Sequence, residues 1–219
     1  MRGDPTPAMA EARTPGAIRA FAALGDSFTA GTGSEPGTAW ADLLALRLRR
    51  QDPDLTYRNL AVEGATTADL ARQVPVAIEL EPDLASVICG ANDVFATVRP
   101  QPARIAERLA GALDSIREAV PGTLLITATV PERWRFLNLR PRTTARVSGG
   151  IEELNGRIRA LAEERGMPCL DVAAHPGLHD AENFCEDGLH PSPLGHARAA
   201  DAFARLLQVH TRSDHWTSG

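Results

Sequence analysis

The sequence contains no lysine: all 23 of its basic residues are arginine. That reads as codon bias and carries no functional weight. Acidic residues number 28, leaving a net charge of −5, which argues against nucleic acid as a partner of the domain as a whole. Cysteine is scarce. Cys89, Cys169 and Cys185 are an odd set without CxxC spacing, so a disulfide scaffold is excluded and buried free thiols in a reducing compartment are expected. No apolar run approaches the ~18 residues needed to span a bilayer. The opening stretch MRGDPTPAMAEARTPG is broken by Pro and Gly and has no apolar segment behind its first Arg. It has no recognisable secretory signal, and the expected location is cytoplasmic.

What remains is an ordinary globular balance, 43% apolar and 23% charged over 219 residues, enough for one α/β domain. Residues 1–16 read as a loose arm, 17–209 as the domain and 210–219 as a polar tail. Short apolar runs alternate with helical patterns. Ile18 to Leu24, Thr56 to Val62, Leu84 to Cys89, Thr123 to Thr129 and Pro168 to Val172 are the five strand candidates. Trp40, Leu43, Leu44 and Leu48 line one helix. Thr67 or Asp69 can cap a second, short one, because Pro75 lies too deep for a long one. Ile105, Leu109, Leu113, Ile116 and Val120 line a third, Ile151, Leu154, Ile158 and Leu161 a fourth, and Leu194 to Leu207 is the last. Strands separated by helices call for parallel pairing through right-handed crossovers, hence a three-layer α/β/α sandwich. Pro131 to Gly150, rich in Arg and Pro, reads as a long loop or broken helix.

In such sheets ligands bind beyond the carboxyl ends of the strands. There the sequence places Gly25-Asp26-Ser27, Glu63-Gly64-Ala65-Thr66, Gly90-Ala91-Asn92-Asp93 and Asp187-Gly188-Leu189-His190. Singly, each has an ordinary reading as a turn, a strand end or a helix cap. Jointly they make an acyl-transfer site. Ser27 needs a base to become a nucleophile, and His190 can take its proton. Asp187 can accept the other imidazole N–H and hold the useful tautomer. The N–H groups of Ser27 and Gly64 and the amide of Asn92 can meet an oxyanion.

The four blocks GDSFTAG (Gly25 to Gly31), NLAVEGATT (Asn59 to Thr67), GAND (Gly90 to Asp93) and DGLHPSPLGH (Asp187 to His196) resemble, in order and spacing, the motif blocks of the SGNH (GDSL) hydrolases. The run around Trp40 and the Ser-Pro-Leu-Gly-His after His190 are similar to a bacterial subgroup without a secretion signal. The resemblance implies a flavodoxin-like sheet of five parallel strands. It implies Ser27 as nucleophile, His190 as base and Asp187 as its orienting acid, with Ser27, Gly64 and Asn92 as the oxyanion hole. It also implies small-molecule or carrier-bound acyl esters as substrates, with no metal or cofactor. Cys89 before GAND and the Pro131 to Gly150 stretch depart from the family pattern.

Other readings stay open at this level. The same site serves an acyltransferase if an acceptor other than water enters, and a non-catalytic binding module can share the scaffold. His175, His179, Cys185, His190 and His196 crowd one segment and raise a metal site, although Pro176 and Gly177 speak against helical pairing of the first two. G-x-S-x-G is absent around Ser27, and Thr29 to Gly33 lacks a phosphate-loop pattern. Arg133, Arg135, Arg140, Arg142 and Arg146, with Trp134 and Phe136, form a basic stretch that either faces water or covers the site for an anionic acyl group.

Overall fold

The computed structural model describes residues 18–132 and 139–214. Five strands, β1 (Ala20–Gly25), β2 (Thr56–Asn59), β3 (Leu84–Ile88), β4 (Leu124–Ala128) and β5 (Cys169–Leu170), form one parallel sheet in the order β2-β1-β3-β4-β5. The helices are α1 (Ser27–Ala30), α2 (Trp40–Leu48), α3 (Leu70–Ile78), α4 (Ala91–Phe95), α5 (Pro102–Ala119), α6 (Pro141–Glu164) and α7 (Pro193–Asp214). Two 3-10 turns, Pro176–His179 and Ala181–Asn183, lie between β5 and α7.

Alternation along the strands divides the core in two. Ala22 and Leu24 of β1, Ala85 and Val87 of β3 and Leu125 of β4 pack with α3, α5 and α6. Their neighbours Phe21, Ala23, Leu84, Ile88 and Ile126 pack with α2 and α7. A period of two on a sheet buried on both faces requires this three-layer arrangement. On α5 the spacing of Ile105, Leu109, Leu113 and Ile116 puts all four on the buried face, each gaining on the order of 2 kcal/mol by leaving water. Pro102 opens that helix at a position whose N–H has no intrahelical partner to lose.

Several boundaries differ from the expectations. The fourth expected helix begins at Pro141, ten residues before Ile151, the first residue of its apolar pattern, so much of Pro131 to Gly150 is helical. Val147 extends the buried stripe by one turn, but the surrounding arginines and Gly149-Gly150 conceal it. α7 runs to Asp214, past the His210 at which composition places the tail. Gln208 and Val209 are exposed and give no apolar period to read. β2 ends at Asn59. α3 has Asp69 at its N-cap, but that carboxylate bonds Thr66 instead of a helix N–H. Of the three cysteines, all free, only Cys89 is fully buried.

In this strand order the chain reverses direction across the sheet between β1 and β3, and such a switch point opens a crevice at the strands' carboxyl ends. β1 and β3 are in register to their last residues, Gly25 opposite Ile88. The segments that follow them therefore emerge side by side.

Candidate active site

Gly25 ends β1 where nothing larger fits: its φ is +148° and a Cβ there would lie 2.1 Å from the Ile88 carbonyl oxygen. Gln73 of α3, buried, holds this residue from both sides. It accepts the Gly25 N–H at 2.8 Å and donates to the Gly25 carbonyl at 2.9 Å. The chain then turns sharply. Asp26 caps α1 by accepting the Phe28 N–H, which places Ser27 at the first helical position, half-buried and facing the crevice.

Across that crevice His190 Nε2 lies 3.2 Å from Ser27 Oγ, and His190 Nδ1 lies 2.7 Å from Asp187 Oδ2. Burial tends to raise the Asp187 carboxyl. Hydrogen bonds from the imidazole and from the backbone N–H groups of Leu189 and His190 outweigh it and set the group below its usual value. An ionised carboxylate only accepts. Nδ1 therefore carries the proton, and Nε2 presents its lone pair to the Ser27 hydroxyl.

Val62 to Ala65 closes a turn through the Ala65 N–H to the Val62 carbonyl, with Gly64 in its third position at φ +76°, a conformation that favours glycine. Among the described residues neither the Ser27 nor the Gly64 backbone N–H has an intramolecular acceptor. Asn92 stands at the start of α4. It donates one amide hydrogen to the Ala65 carbonyl at 2.9 Å, which fixes its rotamer and leaves a second for the pocket. Asp93 ties the same turn to the second block, accepting the Thr67 N–H at 2.8 Å and its hydroxyl at 2.7 Å. The five residues expected at the site thus line one pocket or, for Asp187, stand directly behind it.

Sequence reasoning did not assign a role to Asp26, whose carboxyl is raised from 3.8 to about 7, first by burial and then by the charge of Asp93. Gln73 also went unnoticed; a Gln on the buried face of an otherwise apolar helix was the signal. Burial likewise pushes the Cys89 thiol up. It donates weakly to Ala65, so this departure from the motif is an inert wall residue.

The histidine-rich segment is dispersed. His196 is buried, accepts the Trp40 N–H at Nδ1 and donates from Nε2 to the Thr32 carbonyl, clipping α7 to the segment after α1. His175 accepts the Gly177 N–H, and His179 ends a 3-10 turn, not an α-helix. Among the described residues no group of three or more His, Cys, Asp or Glu is placed to hold a metal. Arg146 donates to the carbonyls of Val94 and Thr97. Neither it nor Arg140 or Arg142 lines the pocket. Arg133, Trp134, Arg135 and Phe136 lie outside the described residues. Among the described residues no helix is long and apolar enough to cross a membrane.

Hydroxyl, imidazole and carboxylate thus stand in line at the switch point of a parallel α/β/α sandwich. The family model of the GDSL-like lipase/acylhydrolase family matches residues 23–198, and the chain belongs to that family. Similar solved structures include a lipase/acylhydrolase from Enterococcus faecalis, 23% identical with a TM-score of 0.67, covering 89% of this chain and 96% of that one. An acetylxylan esterase from Geobacillus stearothermophilus is 19% identical with a TM-score of 0.65, covering 86% and 94%. A GDSL-like lipase candidate from Parabacteroides merdae is 18% identical with a TM-score of 0.72, covering 86% and 95%. No curated protein matches.

Proposed function

We propose that the protein hydrolyses a carboxylic ester or thioester, small or carrier-bound, through an acyl-enzyme on Ser27. The observation that carries this reading is the line from Ser27 Oγ through His190 to Asp187. His190 Nε2 takes the hydroxyl proton as Ser27 attacks the carbonyl carbon. Negative charge forming on the carbonyl oxygen is met by the Ser27 and Gly64 N–H groups and the free Asn92 amide hydrogen. The imidazolium, steadied by Asp187, protonates the leaving alcohol or thiol as its bond to carbon breaks. Water then enters, gives a proton to His190 and attacks the acyl carbon. Collapse releases the acid and returns the proton to Ser27 Oγ.

A fluorophosphonate is expected to add its mass to Ser27, and an unlabelled Ser27 in folded protein overturns the assignment. Ser27→Ala should reduce p-nitrophenyl ester turnover on the order of 10⁴-fold or more. Loss of one oxyanion donor in Asn92→Ala should lower kcat by about 10²–10³.

A further inference from the structure

We propose that the acyl group taken by this site is a hydrocarbon chain of medium length, lodged in the cavity between Ser27 and the inner face of α7. The inference rests on the ester-hydrolysis reading above and adds what that reading leaves open, the class of acyl group.

The cavity has a volume of about 350 Å³ and is continuous from Ser27 to Ala202. Ile88, Leu170, Val172 and Leu178 and the helix α7 are among its lining. α7 contributes Ala199 and Ala202, three residues apart on one helical face, while Gly195 lets the Asn183 carbonyl approach, 2.1 Å from where a Cβ would lie. Neither alanine side chain is long enough to fill the space.

Thr129, Asn183 and Arg198, which also line the cavity, are engaged with other parts of the protein. The Thr129 hydroxyl donates to Asp171 and accepts the Ala173 N–H. The Asn183 amide donates to the Gly177 carbonyl and accepts from Arg198, which also pairs with Glu182 at 2.7 Å. An apolar ligand lying against them leaves these bonds intact.

Those same bonds fasten the cover. The two 3-10 turns, which contribute Gly177, Leu178 and Asn183 to the lining, are held by Arg198 and by the Ser192 N–H on the Asn183 carbonyl at 2.9 Å. The space is preformed, so a ligand does not have to order it. At ~30 Å³ per methylene-sized group, the share of one water in the liquid, about 350 Å³ corresponds to about twelve such groups; with the ester itself beside Ser27 taking its share, the chain is on the order of eight to ten carbons. An acetyl group would leave most of the apolar wall without contacts.

The test is a series of p-nitrophenyl esters from acetate to palmitate with the full-length protein. On the transfer energy of a methylene group, kcat/KM should rise about fourfold per methylene up to roughly octanoate and then level or fall. Ala202→Leu, and Ala199→Leu as a second variant should the first fold poorly, should cut the octanoate-to-acetate ratio of kcat/KM at least tenfold. A wild type that prefers acetate overturns the proposal, as do leucine variants that lower every ester equally.

If no ester is cleaved and Ser27 is not labelled, the hydrolytic reading fails by itself. The cavity is then tested by titrating Ser27→Ala protein with octanoate and following its methyl resonances. Saturable binding that Ala202→Leu abolishes supports the chain site; no binding overturns it.

Discussion

Asp26 directly precedes Ser27 and Asp187 stands behind the imidazole that faces it, and their carboxyl groups are displaced in opposite directions. Asp26 is buried and accepts one backbone N–H, so burial dominates and raises it to about 7. Asp187 is half exposed, yet two backbone N–H groups and an imidazole converge on it and hold it low. The contrast extends to the regions around them. The loops after β1, β2 and β3 are pinned from the core, by Gln73 on Gly25, Asn59 on the Thr29 carbonyl and Asp93 on Thr67. The loop carrying His190 is held largely by itself, through Asp187, through the Cys185 N–H on the His190 carbonyl and through a bridge between Phe184 and Pro191. The nucleophile side is part of the fold's stability; the base side is an attachment to it. Damage to the first should appear in unfolding, and damage to the second in turnover.

The largest expected effect lies on the attached side. His190→Ala should lower kcat for an activated ester by about 10⁴ while leaving thermal unfolding close to wild type. A comparable loss of stability would erase the distinction.

Next comes the pH dependence of the buried acid. Because the folded protein holds the Asp26 proton up to about 7 while the unfolded chain releases it near 3.8, stability contributed by this group is full in acid and lost as pH rises through that window. Asp26→Asn keeps a capping oxygen and removes the titration. Its stability relative to wild type should therefore climb between pH 4 and 7, by at most about 4 kcal/mol, and stay level above. Chemical denaturation at a series of pH values measures this, and a flat difference refutes the role of burial.

Gln73→Leu should cost roughly 2–3 kcal/mol of unfolding free energy by stranding the buried Gly25 N–H. It should slow turnover as well, since Gly25 sets the position of Ser27. A Gln73→Leu protein with normal stability would show that the core does not secure this half.

Asp187→Asn should change stability least, by less than about 1 kcal/mol at neutral pH, as expected for a half-exposed pair. The sign is opposite to that of Asp26. The lowered carboxyl contributes stability above the unfolded value of 3.8, lost as pH falls through its folded value, so variant and wild type should converge once pH falls below that folded value.

Much of this was legible in the residues. Five runs closed by turn residues predict five strands, and all five form; β1, β3 and β4 are the plainest, because a strand buried on both faces has to be nearly continuously apolar, whereas the edge strand β2 alternates exposed and half-buried residues. The site residues were legible for a related reason: Ser, His, Asp, Asn and a turn Gly at strand ends have few other ways to be useful together. Less visible were the boundaries set by packing. Arg146 within Pro131 to Gly150 resembles a solvated charge, yet two carbonyls near α4 claim it. His196 resembles a ligand and is instead a buried clip between α7 and the segment after α1.

By itself the sequence determined the alternating element order, the parallel sheet and the chemical types available at its rim, since periodicity and turn chemistry act over a few residues. Only the tertiary structure decided that a hydroxyl and an imidazole 163 residues apart would meet, and that α7 would turn two alanines towards an unfilled cavity. Distances and voids depend on which faces pack against each other, and no short stretch of chain encodes that alone.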